Sequence, residues 1–294
     1  MKRCTARTFD AHAFIGALIF ILCAGSAMAL DAQVSAGLDN NPMLSRKPGD
    51  QVPVWTAEGS LYHSQFFELS PRLAWSVLGA VDARWFDTTS SLSEIALDTA
   101  ATGYFQPRLG YTAPWYQLAV SATPVLVANE QRNHVQARLR VSRHQRLTDR
   151  LNYALGLQAS QSFADERIFR QRRYGLDGQI NFDRRLARPH GFSGVFLRGG
   201  VQQGQFASTR SYQPSGVYGY NIMIDDGLSD DLGSTWWVYR TDALAFSAVL
   251  GARYNLSPRW ALDTSLQHDQ LNSDVGDYSR QKLVLSLVGR LGMP

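Results

Sequence analysis

The chain has only two cysteines among 294 residues, and both, Cys4 and Cys23, fall within its first 29 positions. Once that segment is removed no thiol remains, which excludes disulfides, thiol catalysis and cysteine-ligated zinc. Lysine is almost as scarce. Beyond residue 29 only Lys47 and Lys282 occur, so arginine carries nearly all the positive charge. The formal charge of +4 falls to +2 when the three basic residues and one acidic residue of the N-terminal segment are set aside. That is too near neutrality to argue for nucleic acid as a partner. Beyond residue 30 no apolar run reaches the ~18 residues of a transmembrane helix, and no segment has a clear helical amphipathic period.

The N-terminus combines a basic head (Lys2, Arg3, Arg7), an apolar stretch from Ala13 to Ala24 and the small-residue end Ser26-Ala27-Met28-Ala29. These are the parts of a secretory signal peptide, with cleavage expected after Ala29. Residues 30–294 are then expected to form a single domain.

What the chain has in quantity is alternation. Leu151 to Ser160 is apolar at odd positions and small or polar at even ones, and the segments starting at Val135, Tyr174 and Trp260 behave alike. Neighbouring side chains of a strand point to opposite faces, so each segment has one apolar and one polar face. The same pattern gives twelve strands, at 32–40, 52–66, 72–87, 94–111, 116–128, 134–146, 151–164, 173–186, 192–207, 236–254, 260–272 and 280–292. Pro107 and Pro124 fall inside two of these spans and, having no ladder donor, should mark bulges or strand ends. Short turns are expected at Leu69–Arg72, Thr112–Trp115, Leu147–Arg150, Arg188–Gly191 and Asn255–Arg259. Longer polar connections separate them, the longest at 208–235.

A soluble β-sandwich also alternates apolar and polar residues. Three features favour a barrel that crosses a membrane. Short and long connections alternate. The polar faces mix arginine and carboxylate with Ala, Gly and Ser. Aromatics cluster near strand ends: Phe66, Phe67, Tyr111, Trp115, Tyr116, Phe192, Tyr254 and Trp260 at the turn end, and Trp85, Phe86, Phe163, Tyr174, Phe206, Trp236, Trp237 and Tyr239 at the loop end. The expected fold class is all-β, a transmembrane antiparallel up-and-down barrel of about 12 strands.

Two stretches carry a resemblance. Val34-Ser35-Ala36-Gly37-Leu38-Asp39-Asn40-Asn41-Pro42 resembles the opening strand of many Gram-negative outer-membrane barrels. Leu256-Ser257-Pro258-Arg259-Trp260, with Ser273-Asp274, Tyr278-Ser279-Arg280 and Leu283–Leu291, resembles their closing hairpin. The pair is similar to barrels of the surface-lipoprotein-assembly-modifier type and to those associated with exopolysaccharide export. The final residues, Leu291-Gly292-Met293-Pro294, depart from the aromatic ending usual in such barrels.

On this register Glu58, Asp82, Arg84, Glu94 and Asp98 point inward. So do Arg108, Arg138, Arg140, Asp177 and Asp183, followed by Arg198, Arg253, Asp263, Lys282 and Arg290. Such charge can select ions or polar solutes in a pore, or it can pair and close a narrow barrel. Arg167, Arg170, Arg172 and Arg173 form a basic loop suited to bidentate contact with phosphate, for which lipopolysaccharide is the expected anion. The run Asp225-Asp226-Gly227-Leu228-Ser229-Asp230-Asp231 departs from the spacing of a helical calcium loop and is expected to be a solvated acidic tip. The aromatics of that long loop could fold it into the lumen as a constriction.

Catalysis finds little support. His63 and Ser64 are adjacent, as are His268 and Asp269, so the members of each pair face opposite ways. No Ser/His pair sharing one face is identified, and no catalytic residue, metal or cofactor is expected. The expected function is that of an integral outer-membrane barrel, a passive channel or export pore for small polar solutes or glycan. Its expected partners are outer-membrane lipid, lipopolysaccharide and the barrel-assembly machinery, with no nucleic acid. A non-conducting assembly or interaction barrel, and behind it a lipid-modifying enzyme, are the alternatives.

Overall fold

The computed structural model describes residues 30–183, 191–212 and 221–291. The expected signal peptide and the Arg188–His190 part of one expected turn lie outside them. The strands are β1 (Asp31–Asp39), β2 (Val54–Ser70), β3 (Leu73–Phe86), β4 (Glu94–Phe105), β5 (Trp115–Val127), β6 (His134–Arg146), β7 (Leu151–Ala164), β8 (Arg172–Asp183) and β9 (Gly191–Arg210). A three-residue β10 (Ile222–Ile224) and a short helix α1 (Asp226–Leu232) follow, then β11 (Trp237–Asn255), β12 (Trp260–Ser273) and β13 (Tyr278–Arg290). Each long strand pairs antiparallel with its neighbour, β9 pairs with β11, and β1 closes the ring on β13 from Asp31↔Arg290 to Asp39↔Lys282. The result is a closed 12-strand barrel with β10 added to the free edge of β11 beyond the reach of β12. Among the described residues no helix is long and apolar enough to cross a membrane.

Proline accounts for two local features. β4 stops at Phe105 rather than 111, because Gln106 precedes Pro107, so the following turn spans 106–114 and is longer than expected. Pro124 remains within β5 and pairs with Val135. On its other side the ladder with β4 skips from Ala96↔Val125 to Thr99↔Ala122.

The barrel is inside-out relative to a soluble protein. Leu118, Leu139, Leu157, Leu176, Leu197, Leu250, Leu266 and Leu283 are exposed on its outer face. Closure removes every backbone edge that hydrocarbon would leave unpaired. Trp85, Phe163 and Tyr174 at the loop end, and Tyr111, Tyr116, Tyr254 and Trp260 at the turn end, are also exposed and suit two interfacial girdles. The remaining end aromatics divide differently from expectation. Phe86, Phe206, Trp236 and Tyr239 are buried at the loop end, and Phe66 and Trp115 face the interior next to Tyr104. Neighbouring ring positions on a strand alternate faces, so a cluster near a strand end cannot all serve the outer belt.

Candidate functional site

The interior face carries charge at nearly every level, and most of it is matched. Arg84 donates to Glu58 and to Glu94, at 2.9 Å each, and Lys282 Nζ reaches Glu58 at 2.5 Å. Arg140 meets both oxygens of Asp177. This pair spans β7, where a side chain at Gly156 would lie 2.8 Å from Asp177 Oδ1 and 3.0 Å from Arg140 Nε, so the glycine leaves the room the pair needs. Arg253 holds Asp263 through two hydrogen bonds of 2.7 and 2.6 Å. Asp39 accepts from Arg280, Asp98 from Thr123 and Asp183 from Asn152. Asp82 lies between Ser60 and Ala96 in register. Arg138 donates to Gln136, and Arg198 lies over the Phe196 ring. Arg108 is placed in the 106–114 turn rather than on a strand, and the side chain of Arg290 lies outside the described residues.

At the loop end, four connections fold together over the barrel. Met43 from the 40–53 connection, Leu92 from the 87–93 connection, and Leu228 and Trp236 from the 211–236 connection join Val54 and Phe86 in one apolar cluster. α1 sits against the turns at 90–92 and 129–132 so closely that a side chain at Gly227 would meet Ser91 Cβ at 2.7 Å. The expected solvated acidic tip is in fact a latch. Asp225, 1% exposed, caps α1 by accepting from Leu228 N, and it also accepts from Asn129 Nδ2 at 2.7 Å and from Arg132. Asp226 accepts from Gln131, and Asp231 from Ser90 and Ser91. The 40–53 connection is tied in as well, since Thr209 donates to the Met43 carbonyl and Ser211 to Asp50. Carboxylates used this way are not free for a cation, and among the described residues no metal-binding cluster occurs. Beneath the latch lies a cavity of about 510 Å³, lined by Arg84, Glu94, Arg132, His134, Arg173 and Tyr278 among others.

At the turn end the interior carries an arc of rings: Phe66–Tyr104 at 5.6 Å, Tyr104–Trp115 at 6.0 Å, and Trp115 stacked on His144 at 4.0 Å. Next to it is the Ser/His pair missing from the sequence reading. Ser142 Oγ and His144 Nε2 are 2.9 Å apart on β6. Residues i and i+2 of a strand share a face, so the two side chains meet, unlike the adjacent His63 and Ser64. Ser142 is 2% exposed, and it also donates to Gln117 Oε1.

The four loop arginines do not stay together. β8 begins at Arg172, so Arg172 faces out while Arg173 turns inward, donating to Gln171 and to the Gln205 carbonyl beside the Phe206 ring. This corrects the placement of Arg173 on an outward loop. Arg167 and Arg170 lie at the 3-10 turn Arg167–Phe169, and Arg240 of β11, which the sequence did not single out, joins Arg170 and Arg172 on the outer surface.

The chain matches no protein-family profile and no curated protein sequence. In solved structures it is similar to an outer membrane channel from Pseudomonas putida F1, with 16% identity, 91% of this chain and 97% of that one covered, and a TM-score of 0.55. It is also similar to the NanC porin (10% identity, 88% and 100% covered, TM-score 0.47) and to the KdgM porin in complex with disordered oligogalacturonate (9%, 88% and 98%, TM-score 0.40). The fold is that of Gram-negative outer-membrane β-barrels.

Proposed function

We propose that this chain is an outer-membrane channel for small polar solutes or glycan, exported by cleavage after Ala29 and oriented with its latched end outward. The observation that carries the reading is the interior itself. From the ring arc to the 510 Å³ cavity it is polar, charge-matched and partly exposed rather than packed with apolar side chains, as a wet lumen requires. The latch then acts as the constriction. Arg210 pairs directly with Trp237, so a two-residue Asn-Gly turn can replace residues 211–236 without disturbing either strand. Protein purified from membranes and placed in planar bilayers is expected to show small conductance steps, and the turn replacement much larger ones. If both insert and neither conducts, the channel reading fails and a non-conducting interaction barrel takes its place.

The Ser142–His144 geometry favours a second reading, hydrolysis of membrane lipid, because nucleophile and base are within hydrogen-bond reach. The burial of Ser142 opposes it. A fluorophosphonate probe is expected to leave the protein unlabelled. Labelling that Ser142→Ala abolishes would move the hydrolase reading ahead.

A further inference from the structure

We propose that Arg170, Arg172 and Arg240 form an external site for the phosphate groups of an outer-leaflet lipid headgroup. This rests on the outer-membrane reading above. The three guanidinium groups line one groove on the outside of the barrel, together with Gln161, Phe163 and Gln205.

Two of them are held in place by neutral acceptors. Arg170 donates to the carbonyls of Ala164 (2.7 Å) and Asp165 (3.0 Å). Arg240 donates to the carbonyls of Arg167 (2.9 Å) and Arg170 (3.0 Å) and to Asn221 Oδ1 (2.8 Å). These bonds fix orientation and leave the charge uncompensated. Arg172 is exposed, and none of the three has an ion pair among the described residues. Inside the barrel Arg84, Arg140, Arg253, Arg280 and Lys282 each hold a carboxylate, while Arg138, Arg173 and Arg198 there rest on neutral partners but do not share one groove. Three converging guanidiniums without a counter-charge suit a multiply charged oxyanion, which they can grip bidentately.

Position selects the source of that anion. Phe163 and Tyr174 flank the groove and are 53% and 61% exposed, and Leu157 and Leu176 continue the apolar face below them. The groove therefore sits where the belt gives way to the loops, at headgroup height. A lipid phosphate lodged there lays its acyl chains on that belt, an attachment that free phosphate lacks.

The test is native mass spectrometry of protein purified from membranes, titrated with bis-phosphorylated lipid A, with the same lipid stripped of both phosphates, and with inorganic phosphate. Arg172→Glu, which breaks no internal hydrogen bond, is expected to weaken lipid A binding about tenfold or more. Dephosphorylated lipid should bind the wild type as weakly. Arg143→Glu, at the turn end, should bind lipid A like the wild type. Equal binding by Arg172→Glu, equal binding of dephosphorylated lipid, or full competition by inorganic phosphate would each overturn the assignment. Recovery of the wild type outside the membrane fraction would instead overturn the outer-membrane reading, a result distinct from a membrane-inserted barrel indifferent to phosphate.

Discussion

The two ends of the barrel are held by opposite means. At the loop end, three apolar clusters built around Trp236, Phe206 and Val238 bury side chains as a soluble protein does, and the carboxylate of Asp225 is buried beside a largely covered Arg132. At the turn end there is no comparable cluster among the described residues. The turns at 71–72, 147–150 and 256–259 are compact, and many interior side chains stay partly exposed. A wet barrel therefore needs no core along its length, since the ladders and the lipid-facing belt hold it. Among the described residues its conventional core packing lies at one mouth. That core is also imperfect: Thr89 Oγ1, Ser91 Oγ and Trp236 Nε1 are buried there without a protein partner, each costing about 1–3 kcal/mol. Opening the latch would leave the barrel ladders intact, since among the described residues only the three-residue β10 ties that segment to the sheet.

The largest expected effect follows from that difference. Asp225→Ala removes the cap of α1, the acceptor for Asn129 and the counter-ion of Arg132 in one step. Removing one partner of a buried pair costs roughly 3–5 kcal/mol. The barrel itself should survive, still shifting on unheated gels, while protease cuts within 221–236 and the mean single-channel current rises. Continued protease resistance of that segment would show that the latch does not depend on Asp225.

The same contrast explains what could be read from the sequence. All twelve barrel strands were legible, because period two is a local property imposed by the two faces of each strand. The same period set Glu58 with Arg84, Arg140 with Asp177 and Arg253 with Asp263 on one face, where each pair now meets, whereas Arg108, grouped with them, falls in a turn. The latch was not legible. Met43, Leu92 and the pair Leu228 and Trp236 lie on three different connections, and no local pattern tells a loop that packs from one that is solvated. Asp225 looked like a surface carboxylate for that reason. Arg172 and Arg173 were misgrouped by one residue at a strand start, where a single step reverses the face. Arg240 was invisible because its role depends on a neighbour seventy residues away.

Between the two ends, Gly156→Val tests the middle of the barrel. The new side chain would lie within 3 Å of Asp177 Oδ1 and against Arg140, forcing their ion pair apart. Overpacking of this kind costs about 1–3 kcal/mol, to be read as a lower urea midpoint for unfolding from lipid vesicles. An unchanged midpoint would mean that the lumen has slack at this level.

The smallest effect is expected at the turn end. Arg253 and Asp263 have the geometry of a strong pair, two parallel hydrogen bonds of 2.7 and 2.6 Å. Geometry alone does not set its worth. The Arg253 side chain is 49% exposed, so water replaces what the pair provides, and an exposed pair contributes about 0–1 kcal/mol. Arg253→Gln should therefore move the urea midpoint hardly at all, and added salt should matter little to it. Asp225→Ala and Arg253→Gln each remove one side of an arginine–carboxylate pair, one under the latch and the other in the wet lumen. If Arg253→Gln proved as costly as Asp225→Ala, the turn end would be as dry as the latch, and the contrast between the two ends, with the open lumen that depends on it, would be lost.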